Sequence, residues 1–420
     1  MDRIVIEGGT RLAGEVRVSG SKNSTLALIA AALLADGTTI LRNVPRLRDI
    51  ETMLQILEAL GVPAGWDPEL PSALRIEGGA GVRNPEAPYD LVRKMRASFL
   101  VLGPLLARCG TARVSEPGGC AIGVRPVDQH LKGLRALGAK VRLDHGYVDA
   151  SGPRLRGARV AFDLSTVNGT QNVMMAATLA EGETVLENAA REPEVVDLAR
   201  TLTRMGADIR GAGTDRIAIR GVSRLAGVEE DVPGDRIEAG TLLAAGIISR
   251  GDVRVVGIDP AQQKSVLQKL SEAGAEVSVE ADAVRARAAD RVRGIRVVTA
   301  PYPGFPTDMQ AQLMAVLTLA SGSSVVTETV FENRFMHVPE LRRMGADVTV
   351  DGRSAHVRGV PALSGAPVMA TDLRASAGLI LAGLAARGRT TVSRVYHIDR
   401  GYERIEEKLR SLGAVILREG

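Results

Sequence analysis

Polar and hydrophobic positions follow one order that recurs six times along this chain. Each recurrence opens with short alternating or β-branched stretches, as at residues 3–7 and 14–19, which predict a strand pair. A very apolar run follows, clearest at residues 25–35 and 312–320. Such a run is hydrophobic on most helical faces, so it predicts a helix buried inside a domain. A glycine then stops it, as a left-handed C-cap would. A strand comes next, at 38–41, 184–186 and 324–327, and then an amphipathic helix, clearest at 49–60. The unit reads as β-α-β-α-β-β.

Two glycine series mark the repeat. A Leu/Met/Ala-Gly-small tripeptide ends the amphipathic stretch at Gly61, Gly138, Gly206, Gly274, Gly345 and Gly413, spaced 77, 68, 68, 71 and 68 residues apart. In step with it run Gly37, Gly110, Gly182, Gly251, Gly322 and Gly388. Two series in phase imply an internal repeat that fills the chain. A period of about 70 residues is long for a solenoid, so the six units predict two globular domains of three, with sheets outside and apolar helices inside.

The apolar helices are inert along their length but not at their N-terminal ends. Lys22 and Asn23 precede the first, and Arg93, Lys94 and Arg96 open the second. Residues 168–172 open the third, Asp235, Arg236 and Glu238 the fourth, Thr307, Asp308 and Gln310 the fifth, and Asp372 and Arg374 the sixth. Asp308, Asp372 and Asn168 each fit a helix cap. The cations do not, because they oppose the dipole there, and they fit better around a bound polyanion.

A loop over residues 116–128 holds three glycines and two prolines, the pattern of a shaped surface loop. It carries Cys120, with Arg125 near enough in sequence to lower its thiol pKa. Cys109, near the end of an apolar helix, reads as the core cysteine. Arg191-Glu192, Glu332-Asn333-Arg334 and residues 397–400 are further charged loop points, each readable alone as a surface ion pair. His397 reads as a loop hydrogen-bonding residue.

Composition narrows the function. The 420 residues are 45% hydrophobic and 24% charged, too polar for a membrane protein, and the longest apolar runs are too short to span a bilayer. Met1–Glu7 has no signal-peptide character. Two cysteines argue no disulfide framework and fit a reducing cytoplasm. A net charge of +4 with 3% aromatics permits an anionic small molecule but not nucleic acid as the natural partner. The five histidines form no metal motif, and neither a phosphate-binding GxxxxGK[ST] nor a dinucleotide fingerprint is present.

These residues, taken together, resemble the UDP-N-acetylglucosamine 1-carboxyvinyltransferase family, related to EPSP synthases. The resemblance covers essentially the full chain and is most specific at residues 21–23, 95–98, 117–120 with 125–128, 188–194, 305–310, 331–335, 371–376 and 397–403. It implies an α/β fold of two inside-out α/β barrel domains, each of three β-α-β-α-β-β repeats, with the active site in the interdomain cleft. One domain would span 22–232, the other 233–420 plus 1–21. The implied reaction moves the enolpyruvyl group of phosphoenolpyruvate to the 3-hydroxyl of UDP-N-acetylglucosamine, the first committed step of peptidoglycan precursor synthesis. It needs no cofactor or metal.

Roles carry over by motif. Lys22, Arg125 and Arg400 would hold the phosphate and carboxylate of phosphoenolpyruvate. Asn23, Arg96, Asp308 and Val330 would contact the nucleotide sugar. Residues Arg125, Pro126, Val127, Asp128 and Gln129, with Leu164, Ser165, Thr166 and Val167, would line uridine and diphosphate. Arg334, Asp372 and Arg374 complete the expected substrate contacts. Asp308 would be the base for the sugar hydroxyl, and Cys120 the loop thiol associated with proton donation, a covalent adduct and alkylation by fosfomycin. Val167-Asn168-Gly169 departs from the family pattern, which touches the diphosphate contacts and not the reaction. A 5-enolpyruvylshikimate-3-phosphate synthase shares the architecture but is not expected to carry the 117–120 loop or the 188–194 run. A non-catalytic nucleic-acid-binding repeat protein is disfavoured by the mild charge and scarce aromatics.

Overall fold

The computed structural model of the protein describes residues 2–117 and 126–420. They form two lobes, each with its own hydrophobic core. The first comprises residues 20–117 and 126–233; the second comprises 2–19 and 234–420.

The apolar runs form the helices Lys22–Ala32, Leu102–Cys109, Val167–Ala177, Arg236–Ile248, Gln310–Leu317 and Leu373–Ala385. Most are buried almost wholly, as in every residue of Lys22–Ala32 except Asn23 and every residue of Arg236–Ile248 except Arg236. Helix Lys22–Ala32 starts three residues earlier than its apolar run because Ser21 caps it, accepting from the Ser24 amide. The second and fifth begin as 3₁₀ turns, Arg96–Val101 and Thr307–Met309.

The glycines have different duties from those expected. All six tripeptide glycines have φ between 80° and 111°, so they end the amphipathic helices in the left-handed region. In the second series only Gly110 caps an apolar helix directly, whereas the first such helix has already ended when Gly37 turns the chain into strand Thr38–Arg42. At the fourth repeat Arg250 takes the positive φ, and Gly251 is needed because a Cβ would lie 1.9 Å from the Leu12 carbonyl oxygen. Cys109, read as a core residue, is exposed at the helix end.

Each repeat supplies a four-stranded sheet. In the third, Arg159–Ala161 runs parallel to Glu183–Glu187, which pairs antiparallel with Arg216–Arg220, and that strand with Asp208–Arg210. The two repeats next to the lobe crossings exchange their first strands. Ala13–Arg17 precedes the first apolar helix but pairs with Asp252–Val256 of the fourth repeat. Glu229–Asp231 precedes the fourth helix but pairs with Thr38–Arg42 of the first. Arg3–Glu7 lies between Arg389–Ser393 and Val415–Glu419 as an interior strand of the sixth sheet. The segments near 3–7 and 14–19 are therefore not a pair; each joins a different sheet of the second lobe. No helix among the described residues is long and apolar enough to cross a membrane.

A buried polar link registers the helices of the first lobe. Asn172 accepts from the Gly103 amide at 2.6 Å and donates to the Phe99 carbonyl at 2.9 Å. Its amide also lies 3.0 Å from Nδ1 of His130, whose ring sits edge-on to Phe99. Burial, with Arg96 adding in the same direction, pushes His130 down to about 3. The folded pKa is thus below the unfolded value of about 6.5. The stabilising effect is complete above that value and is lost as pH falls towards 3, because only the unfolded state takes the proton. His130→Gln should flatten the pH dependence of the first lobe's stability by about 1.4 kcal/mol per pH unit across this window. Urea midpoints at pH 4 and 7 for both proteins check this; parallel pH profiles would contradict it.

Candidate active site

The first lobe places its expected residues at helix starts. Lys22 Nζ donates to Asp49 Oδ2 at 3.0 Å, with side chains only 11% and 3% exposed. The cation that opposes the helix dipole is thus held by a counter-charge. One residue beyond Asn23, Ser24 Oγ donates to Asp197 at 2.7 Å, tying this helix end to helix Pro193–Arg204. Burial pushes Asp197 up to about 6 despite that bond. Arg96 donates to the Pro126 carbonyl at 2.7 Å. Arg93 and Lys94 follow the short helix Tyr89–Val92 and do not open the apolar one.

Val127 precedes helix Asp128–Ala136. There Gln129 joins Asp128 to the 163–167 loop, donating to Asp128 at 2.7 Å and Asp163 at 3.0 Å while accepting from the Asp163 amide. Leu164 is exposed, Thr166 caps helix Val167–Ala177, and Val167 opens it. Asn168, read as a cap, is the second residue of the helix. Gln129 thus joins Asp128 to Asp163 at the start of the 163–167 loop, while Arg96 binds the Pro126 carbonyl. Cys120 and Arg125 lie outside the described residues.

The second lobe centres on Asp308. It does not cap its helix. Instead Oδ1 accepts from Arg334 at 3.0 Å, and Oδ2 accepts from Arg374 Nη2 at 2.9 Å and Nε at 3.1 Å. The guanidiniums are 4% and 3% exposed while Asp308 is 29% exposed, so the carboxylate is the open side of the triad. Arg334 is therefore no surface ion pair. Burial opposes the charge on Arg374, but Asp308, Tyr402 and Asp235 outweigh it and raise its pKa above the usual guanidinium value. Asp372 does cap, accepting from the amides of Arg374 and Ala375. His337, fully buried, is pushed down to about 4 by burial, with Asp372 opposing the shift and Arg334 adding to it. Arg400 ends the 3₁₀ segment Val395–Arg400. In that segment the Nδ1 of His397 is buried with no hydrogen-bond partner among the described residues, so its reading as a hydrogen-bonding loop residue finds no support at that atom.

Three supporting groups were not legible. Glu328, 1% exposed, accepts from Thr299, Thr307, Val330 and Phe331, fixing both the turn before Asp308 and the Val330 backbone. Gln312 donates to the Asp308 carbonyl at 2.9 Å and to Tyr402 at 3.0 Å. Tyr402, whose phenol pKa is raised by burial, lies 2.9 Å from Thr241. Gln312, polar within a fully apolar run, was the one available signal. No group of three or more His, Cys, Asp or Glu side chains among the described residues could hold a metal ion. The arrangement can hold an anionic ligand and accept a hydrogen bond from a hydroxyl at Asp308.

A family model described as EPSP synthase (3-phosphoshikimate 1-carboxyvinyltransferase) matches residues 6–409. The chain is 59% identical over 419 residues to the UDP-N-acetylglucosamine 1-carboxyvinyltransferase of Myxococcus xanthus (strain DK1622), covering 100% of both. It is 61% identical over 421 residues to that of Anaeromyxobacter sp. (strain Fw109-5), again covering 100% of both. Among solved structures, the enolpyruvyl transferase NikO from Streptomyces tendae superposes with a TM-score of 0.89 at 30% identity, over 99% of this chain and 98% of that one. An EPSP synthase from Acinetobacter baumannii, 20% identical, gives a TM-score of 0.77 over 100% of both chains, a likeness of fold. The chain belongs to the EPSP synthase family, among its UDP-N-acetylglucosamine 1-carboxyvinyltransferases.

Proposed function

We propose that this protein transfers the enolpyruvyl group of phosphoenolpyruvate to the 3-hydroxyl of UDP-N-acetylglucosamine and releases phosphate. The observation that carries the reading is identity of about 60% over the whole length of the relatives that bear this activity in their names. The Asp308 triad supports it chemically. A carboxylate fixed by two arginines and open on one side can orient a sugar hydroxyl and take its proton. In the same step the oxygen bonds to C2 of phosphoenolpyruvate and a proton adds to C3. The resulting ketal loses phosphate by cleavage of the C2–O bond, and the C3 proton leaves to restore the double bond.

Lys22, Arg125 and Arg400 serve this chemistry by holding the phosphate and carboxylate, where fixed cations stabilise the charge that moves onto the leaving group. An ammonium has three N–H donors, one of which Lys22 gives to Asp49. Asn23, Arg96, Val330 and the 125–129 and 164–167 segments hold the nucleotide sugar, and Cys120 serves proton transfer to C3. In the same reading the three sheets of each lobe close around their helices as inside-out barrels, with domains of 22–232 and 233–420 plus 1–21.

Phosphate release from phosphoenolpyruvate should depend on UDP-N-acetylglucosamine and should not occur with shikimate 3-phosphate; release with the latter alone would overturn the reading. Asp308→Ala would leave two buried guanidiniums without their anion, a loss of about 3–5 kcal/mol, so it tests folding as much as catalysis. Asp308→Asn keeps an acceptor oxygen in place. It should lower kcat by about two to four orders of magnitude while UDP-N-acetylglucosamine binding by calorimetry changes far less. Near wild-type kcat in a folded Asn variant would remove Asp308 as the base.

A further inference from the structure

The loop after strand Ser323–Thr327 is organised around one buried carboxylate. Glu328 Oε1 accepts from Thr299 Oγ1 and from the Val330 amide, both at 2.8 Å, and from the Phe331 amide at 3.1 Å. Its Oε2 accepts from Thr307 Oγ1 at 2.8 Å. Among the described residues these donors are all neutral, so the charge is held by dipoles and not by an ion pair. The two oxygens divide the work. Oε1 holds two successive backbone amides, and Oε2 holds the residue immediately before Asp308.

Peptide planarity turns the first hold into a direction. In a trans peptide the carbonyl and the following N–H point to opposite sides. The amides of Val330 and Phe331 face Glu328, so the carbonyls of Thr329 and Val330 face away from it. The Thr329 carbonyl accepts from Arg353 Nη1 at 2.8 Å. No donor among the described residues meets the Val330 carbonyl. We propose that Glu328 is a positioning residue that ties sugar recognition to placement of the base. Through Oε1 it aims the Val330 carbonyl at an N–H or O–H donor of the nucleotide sugar. Through Oε2 it fixes Thr307 and with it the turn that carries Asp308. The proposal rests on the reading that Val330 and Asp308 meet UDP-N-acetylglucosamine. A sugar seated on one end of this link meets a base already set by the other.

Substitution separates the two ends. Thr307→Val nearly keeps the shape of the side chain and removes its donor to Oε2. It should lower kcat about tenfold, because a misplaced reacting group is costly, with the calorimetric Kd for UDP-N-acetylglucosamine within about twofold. Glu328→Leu removes both ends, so it should lower kcat and also raise that Kd about tenfold, the scale of one hydrogen bond. Glu328→Gln keeps an oxygen for the three donors at Oε1, and its amide can donate to the Thr307 hydroxyl, so it should retain most of both. A merely structural role lowers the thermal midpoint without this split between kcat and Kd. If folded Thr307→Val keeps wild-type kcat, or if Glu328→Gln is as impaired as Glu328→Leu, the proposal fails. Should Glu328→Leu not fold, the Thr307→Val and Glu328→Gln results decide alone. Asp308→Asn is measured alongside. If it loses kcat while Thr307→Val does not, the link is refuted and the site reading stands. If it keeps near wild-type kcat, the reading of Asp308 fails and takes the proposal with it.

Discussion

Charge at the ends of buried helices has to be neutralised locally, and much of this structure follows from that constraint. Helices such as Lys22–Ala32 and Leu373–Ala385 are buried along nearly their whole length, so polar chemistry is confined to their ends. Cations there oppose the helix dipole and lose hydration. They persist because each has an anion in reach: Asp49 for Lys22 and Asp308 for Arg374. The same rule holds at the fourth helix with the sign reversed, where Lys408 lies 2.7 Å from the buried Glu238. Glu238 still has its pKa raised, since burial outweighs the lysine.

Neutralisation also gives rigidity. Asp308 is fixed through its side chain by Arg334 and Arg374 and through its carbonyl by Gln312, which continues to Tyr402 and Thr241 in the core. Glu328 fixes the preceding turn from the other direction. A group so constrained needs little reorganisation when a hydroxyl approaches, which is the condition for electrostatic catalysis. The first lobe uses neutral links for the same purpose, with Asn172 and His130 fixing the helix that carries Arg96.

The repeat was legible because it rests on local physics: six glycines with positive φ leave a sequence mark that side chains cannot share. Strand exchange left no such mark. Ala13–Arg17 and Glu229–Asp231 have strand character in any sheet, and only long-range pairing decides which one they join. The site was legible as a set of charged helix ends and through its family motifs, but the pairing was not. Asp308 and Asp372 look alike in sequence, both short anions at the start of an apolar helix. One caps and the other binds two arginines, because Arg334 and Arg374 arrive beside Asp308 from other elements. Glu328 left no mark in the sequence either, because its hold on the turn before Asp308 comes from Thr307 and Thr299, 21 and 29 residues away.

The chemistry requires that the bond broken is the one between C2 of phosphoenolpyruvate and its bridging oxygen. A phosphoryl transfer would break the other side of that oxygen. Phosphoenolpyruvate labelled with ¹⁸O at the bridging position separates the two directly. The phosphate released during turnover with UDP-N-acetylglucosamine should carry the label, seen as an isotope shift in its ³¹P resonance. Unlabelled phosphate, with the heavy oxygen retained on the three-carbon fragment, would contradict enolpyruvyl transfer by this protein.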